Sequence, residues 1–289
     1  MKGNNIKQKI IHCGKYGEKA PYIEVDIYSH VDTIKKPKGK RIYVSEPKQK
    51  NLNEKRAKRY FNQLVKSNFT SEDLRVDLTY NNKHLPSSIE EAEREVANYI
   101  RRLKTARNKA GLPPLKYIVV TEQGKKKGRI HHHMLINGGL DRDTVENLWR
   151  AKRRKGEKEG EKIGICNADR LQFDNKGIEG LTNYLLKDQS KDKAAEGQVT
   201  LEDLLEKDPE GRKRWKQSNN LVKPWYRKPS KHAYTKRAVE KLVKMPPDSE
   251  EVKFFFERRY KDYALDECKY EYNEYTATWG IYLKMHLIT

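Results

Sequence analysis

The chain has 289 residues, 36% of them charged and 35% hydrophobic, and its 62 Lys and Arg against 41 Asp and Glu leave a net charge of +21. That length is enough to bury a genuine core in one large domain or two ordinary ones, and the charge suits a polyanionic partner, nucleic acid first among them. Cys13, Cys166 and Cys268 are widely spaced without a CxxC pair, which argues against a disulfide framework or a zinc knuckle. The N-terminal stretch MKGNNIKQKIIHCGKYG has no apolar h-region and no run is long enough to cross a bilayer, so the expectation is a soluble cytoplasmic protein without membrane contact.

Along the chain, PYIEVDIY and KRIYVS read as short strands separated by a polar segment. Asn51 with Glu54 resembles a capping pair, and Ala57, Tyr60, Phe61, Leu64 and Val65 recur at helical spacing, predicting a basic amphipathic helix to about residue 66. From Leu74 the period drops to two, with Leu74, Val76, Leu78 and Tyr80 alternating with Arg75, Asp77 and Thr79, as in a half-buried strand. Ser88 and Glu91 form a capping box for a helix whose apolar stripe is Ala92, Val96, Tyr99, Ile100 and Leu103, stopped by Gly111, Pro113 and Pro114. LKYIVVTEQ and RIHHHMLIN are then joined by GKKKG, a predicted hairpin.

Asp143 with Glu146 is expected to cap a short helix bearing Val145, Leu148 and Trp149, followed by a charged loop and the strand-like IGIC. GIEGLTNYLLK fits one more helix, with Ile178, Leu181, Thr182 and Leu185 on one face. Beyond it the chain turns polar, passes a basic segment around Trp215, forms a helix near 230 to 244, and ends in a strand alternating from Tyr275 to Leu287, paired with CKYEY. This order predicts an α+β fold in which helices cover one face of a central antiparallel sheet of the ferredoxin-like, RRM-like kind. The expected divisions are an N-terminal extension over 1–69, a core over 70–190, and a basic linker with a helix and strand over 191–289 that completes the core.

A strand sends alternate side chains to opposite faces, so His131 and His133 share one face while His132 lies on the other with Ile130 and Met134. Two neutral imidazoles joined by a carboxylate make a ligand set for a divalent cation that leaves positions open to substrate oxygens. Glu122 ends the partner strand of the same hairpin and is the obvious carboxylate. A lone histidine would more often be an ordinary core or surface residue, and Asp77 is read mainly as a salt-bridge partner. On the later helix Tyr184 and Lys187 stand three apart, flanked by Gly177 and Gly180 and off the apolar stripe.

In that order LRVDLTY, GRIHHHMLI and GLTNYLLK resemble the three motifs of the HUH endonucleases, and within them the rolling-circle replication initiators of small phages and plasmids; WKQSNNLVKP resembles a stretch that often follows. The resemblance covers roughly residues 70 to 225. It departs from the family at His132, where a bulky apolar residue is usual. It implies that His131, His133 and Glu122 hold Mg²⁺ or Mn²⁺ and that Tyr184 attacks a DNA phosphodiester with help from Lys187. A 5′-phosphotyrosine and a free 3′-hydroxyl would result. Thr79, Lys125, Lys126, Lys127 and Arg129 are the expected DNA contacts, and single-stranded or hairpin origin DNA the expected substrate. With no phosphate-binding GxxxxGK[ST] loop in the sequence, a separate helicase and a host polymerase are expected partners. Alternative readings are a conjugative relaxase or single-tyrosine transposase with the same chemistry, a non-catalytic nucleic-acid-binding module, or a basic protein that binds acidic partners nonspecifically.

Overall fold

A computed structural model of the chain describes residues 6–30, 47–123, 128–172, 215–274 and 276–288. The chain divides into two units, Met1–Glu46 with Val222–Thr289, and Pro47–Leu221. Among the described residues each carries an antiparallel sheet of five strands, so the α+β class holds, with two sheets where one was expected.

In the first unit, strands β1 (Ile6–Cys13) and β2 (Tyr22–Ser29) form a hairpin. They combine with the C-terminal strands in the order β8-β1-β2-β10-β9, where β8 is Trp225–Tyr226, β9 Tyr263–Asn273 and β10 Thr278–Leu287. The pairing of the last strand with CKYEY is as expected, with Cys268 opposite Leu283. β2 is buried from Ile23 to Ile27: both its edges are paired, and the face bearing Ile23, Val25 and Ile27 meets α4 (Lys236–Leu242) and α5 (Glu250–Arg259). Val25, Ile27, Ile281, Leu283 and Met285 close that core with Val239, Leu242, Val252 and Phe256. The C-terminal strand therefore extends the sheet of the N-terminal hairpin and not the histidine sheet. KRIYVS lies outside the described residues.

In the second unit, β3 (Leu74–Leu78), β4 (Tyr117–Gln123), β5 (Ile130–Ile136), β6 (Cys166–Arg170) and β7 (Trp215–Gln217) are ordered β6-β3-β5-β4-β7. β5 is central, flanked by β3 and β4. One face is covered by α2 (Ile89–Lys109) and α3 (Arg142–Asn147), with Leu74, Val76, Leu78, Val119, Met134 and Ile136 against the expected α2 stripe. Ser88 caps α2 by accepting from the Glu91 N–H, while the Glu91 carboxylate takes the N–H and hydroxyl of Ser87, one residue earlier than a standard capping box requires. α3 is capped by Asp141, not Asp143; Glu146 instead accepts from the Ala168 N–H and pins β6.

Helix α1 (Pro47–Lys66) starts before the Asn51 cap that its sequence suggested. Its Phe61, Leu64 and Val65, with Phe69, pack on Ile118, Val120 and Leu135, which lie on the other face of the same sheet. Both faces thus carry helices. α1 belongs to the histidine-bearing unit rather than to an N-terminal extension. Tyr60, expected in the stripe, is exposed. Among the described residues no helix is long and apolar enough to cross a membrane.

Candidate metal centre

The register of β5 decides which histidines work together. Glu122 stands opposite His131, Thr121 opposite His132, and Asp77 and Val120 flank His133. Alternation then puts Glu122, His131, His133 and Asp77 on the α1 face and drops His132 into the core beneath α2.

His131 Nε2 lies 2.9 Å from Glu122 Oε2, and His133 Nε2 lies 3.6 Å from the same oxygen. One ligand atom from each of the three residues falls within 4.8 Å of the others, so the group fits a single ion. The Glu122 and His133 side chains are 3% and 6% exposed but His131 is 28% exposed, which leaves the cluster open to solvent on the His131 side. His133 Nδ1 is 2.5 Å from Asp77 Oδ1, and Asp77 Oδ2 accepts from Arg75 Nε at 2.8 Å. An Nδ1–H donated to Asp77 fixes the neutral tautomer whose Nε2 lone pair a cation seated between it and Glu122 would use, as at histidine-ligated metal sites. The carboxylate and two imidazoles therefore suit a divalent cation, and Asp77 does more than form a salt bridge. It orients the His133 ring.

The electrostatics agree. Burial alone would lower the His133 pKa, but the hydrogen bonds to Asp77 and Glu122 outweigh it and raise the pKa above its usual value. For Asp77, burial works upward, and the hydrogen bonds from His133 and Arg75 win, holding its carboxyl below the usual range. His132 is the opposite case. Burial, followed by its histidine neighbours and Lys216, pushes it down to about 3, so it is neutral.

His132 explains its own departure from the apolar residue usual in the resembled family. Its Nε2 is 2.8 Å from the Tyr80 hydroxyl and its Nδ1 is 2.9 Å from Thr121 Oγ1. Tyr80 also donates to the Ala92 carbonyl at 3.3 Å, which leaves it to accept from His132 Nε2–H, while Thr121 donates to Nδ1. Both ring nitrogens are satisfied in a cluster with Tyr80 and Trp149, so the imidazole is a polar peg that locks the strand register. Neither hydroxyl carried a local sequence signal for this role, because the partners lie 52 and 11 residues away.

Of the expected DNA contacts, Thr79 is exposed, with its hydroxyl exchanging hydrogen bonds with the backbone of Ile165 at 3.2 Å in each direction. The close pairing of this segment depends on Gly164, where a Cβ would meet the Thr79 carbonyl oxygen at 1.9 Å. Arg129 braces the loop after β3, donating to Asn82 Oδ1 at 2.7 Å and to the Tyr80 carbonyl at 2.5 Å. Lys125, Lys126, Lys127, Tyr184 and Lys187 lie outside the described residues.

No characterised protein and no solved structure matches the chain. Residues 73–193, the stretch that holds both imidazoles, the carboxylate and Tyr184, match a family model for replication-associated proteins of the ORF2 type, and in that segment the chain is similar to replication-associated proteins, consistent with a rolling-circle initiator.

Proposed function

We propose that the chain is a metal-dependent DNA-nicking and joining enzyme of the HUH type that initiates rolling-circle replication. The observation that carries this reading is the convergence of His131 Nε2 and His133 Nε2 on one Glu122 oxygen. It lies within the segment similar to replication-associated proteins. In this reading Glu122, His131 and His133 hold Mg²⁺ or Mn²⁺, which when bound polarises the scissile phosphate. Asp77 keeps His133 in its ligating tautomer, and the exposed edge of His131 leaves room for phosphate oxygens.

Tyr184 is the proposed nucleophile. Its phenolic oxygen gives up its proton to solvent and forms a bond to phosphorus as the bond to the 3′ oxygen breaks, giving a 5′-phosphotyrosine and a 3′-alkoxide that takes up a proton to become the free 3′-hydroxyl. A free phenol is mostly protonated near neutral pH, so the ammonium of Lys187 assists by favouring the phenolate. The stored ester permits rejoining when another 3′-hydroxyl attacks. The substrate is single-stranded or hairpin origin DNA, held by the basic surface, with Lys125, Lys126, Lys127, Arg129 and Thr79 as proposed contacts and a helicase and polymerase supplied by the host.

The test is a covalent adduct with a single-stranded origin oligonucleotide. The wild type is expected to form it with Mn²⁺ and not with chelator, and Tyr184→Phe to form none. Nicking by Tyr184→Phe at the wild-type rate would remove the proposed nucleophile, and nicking unaffected by chelator would remove the metal.

A further inference from the structure

A second site with nucleic-acid chemistry lies in the other unit, outside the segment similar to replication-associated proteins. At the edge of its sheet, β8 pairs with the end of β1 and sets His12 opposite Trp225. The two rings stack with centroids 4.1 Å apart and planes 11° from parallel. Tyr16, on the turn that leaves β1, leans on Trp225 with its ring centroid 4.7 Å away and its plane tilted by 60°. Tyr16 is 76% exposed, so most of its ring area is open to a further flat partner. Gly17, at φ 85, gives the turn the left-handed residue it needs to hold Tyr16 at the tip.

Beside these rings is a cleft of about 470 Å³ lined by His12, Trp225, Arg227 and Lys228 among others. The acid in the cleft, Glu18, pairs with Lys15 at 3.4 Å, and Lys19 pairs with Asp262 at 3.0 Å. Arg227 and Lys228 have no such acid among the described ion pairs and are exposed. An exposed tyrosine ring beside a stacked His12–Trp225 pair, with two exposed cations at the same cleft, together match a stretch of backbone phosphate with an unstacked base.

We propose that this cleft binds single-stranded nucleic acid, with a base laid on the exposed Tyr16 ring beside the Trp225–His12 stack and the adjoining phosphate against Arg227 and Lys228. The site stands apart from the nicking reading and needs no metal. With a net charge of +21 on the chain, a polyanion is a better fit than a single nucleotide.

The test uses the full chain in chelating buffer, with a fluorescent oligo(dT) about twelve nucleotides long. Tyr16→Ala is expected to weaken anisotropy-measured binding about tenfold, while Tyr16→Phe keeps it. Arg227→Ala with Lys228→Ala is expected to lower the salt dependence by about one to two phosphate contacts. Ultraviolet crosslinking of the wild type should place the oligonucleotide on peptides containing Tyr16 or Trp225. Wild-type affinity in Tyr16→Ala, equal binding of duplex of the same length, or crosslinks confined to other peptides would each overturn the proposal.

Discussion

If His132 is a neutral peg buried behind the metal face, replacing it with a side chain that cannot titrate must change how stability depends on pH. His132→Gln keeps one donor and one acceptor but binds no proton. In the folded wild type the imidazole is held down to about 3 by burial, against 6.5 for the unperturbed group. The unfolded chain therefore binds a proton below 6.5 that the folded chain refuses, and wild-type stability falls as pH falls. With those two values, the linkage costs the wild type about 1 kcal/mol between roughly pH 7.5 and 5.5, and about 3 kcal/mol by roughly pH 4.5. His133 works in the opposite sense, because its raised pKa adds stability on the acid side that is lost as pH rises through the folded value. That contribution is common to both proteins and cancels in the difference. Urea unfolding of both, followed by tryptophan fluorescence over this range, reads the difference directly. A fixed offset from the altered hydrogen bonds is irrelevant; only the slope counts. Parallel curves would mean that His132 titrates normally in the folded chain and that its buried pairing with Tyr80 and Thr121 is wrong.

Other consequences are checkable with the same proteins. Asp77→Asn should leave the fold intact but weaken Mn²⁺ binding about 10- to 100-fold by calorimetry, because it frees the His133 tautomer. Mn²⁺ affinity of the wild type should fall about tenfold per pH unit once pH drops below the raised His133 pKa, since the ion must displace that proton, and calorimetry in buffers of different ionisation enthalpy should register its release. Gly164→Ala should destabilise the second unit by about 3 kcal/mol in urea, because its Cβ would collide with the Thr79 carbonyl.

The parts of the fold carried by local periodicity were legible in the sequence. The alternation from Leu74 and the α2 stripe appear as read, and the parity of His131 and His133 put the two on one face before any register was known. Long-range pairing left no such trace. Nothing local in β2 announces that β10, more than two hundred residues later, lies beside it, so the C-terminal strand was assigned to the wrong sheet. α1 was legible as a helix, but which sheet its Phe61 and Leu64 would cover depended on the division of the chain. Buried polar partnerships were hidden for the same reason. Arg107, almost fully buried, donates to the carbonyls of Pro113, Asn137 and Gly138, and only the folded chain brings them together. Asp77 was visible as a strand carboxylate, yet its grip on His133 needed the β3–β5 register.

Pulsed electron paramagnetic resonance of the Mn²⁺-loaded chain tests the ligand set most directly. Two coordinated imidazole nitrogens are expected in the wild type and one in either His131→Ala or His133→Ala, with weaker Mn²⁺ retention in Glu122→Gln. Bound Mn²⁺ with no nitrogen coupling, or a spectrum unchanged by both histidine substitutions, would place the ion elsewhere and leave the proposed chemistry without its centre.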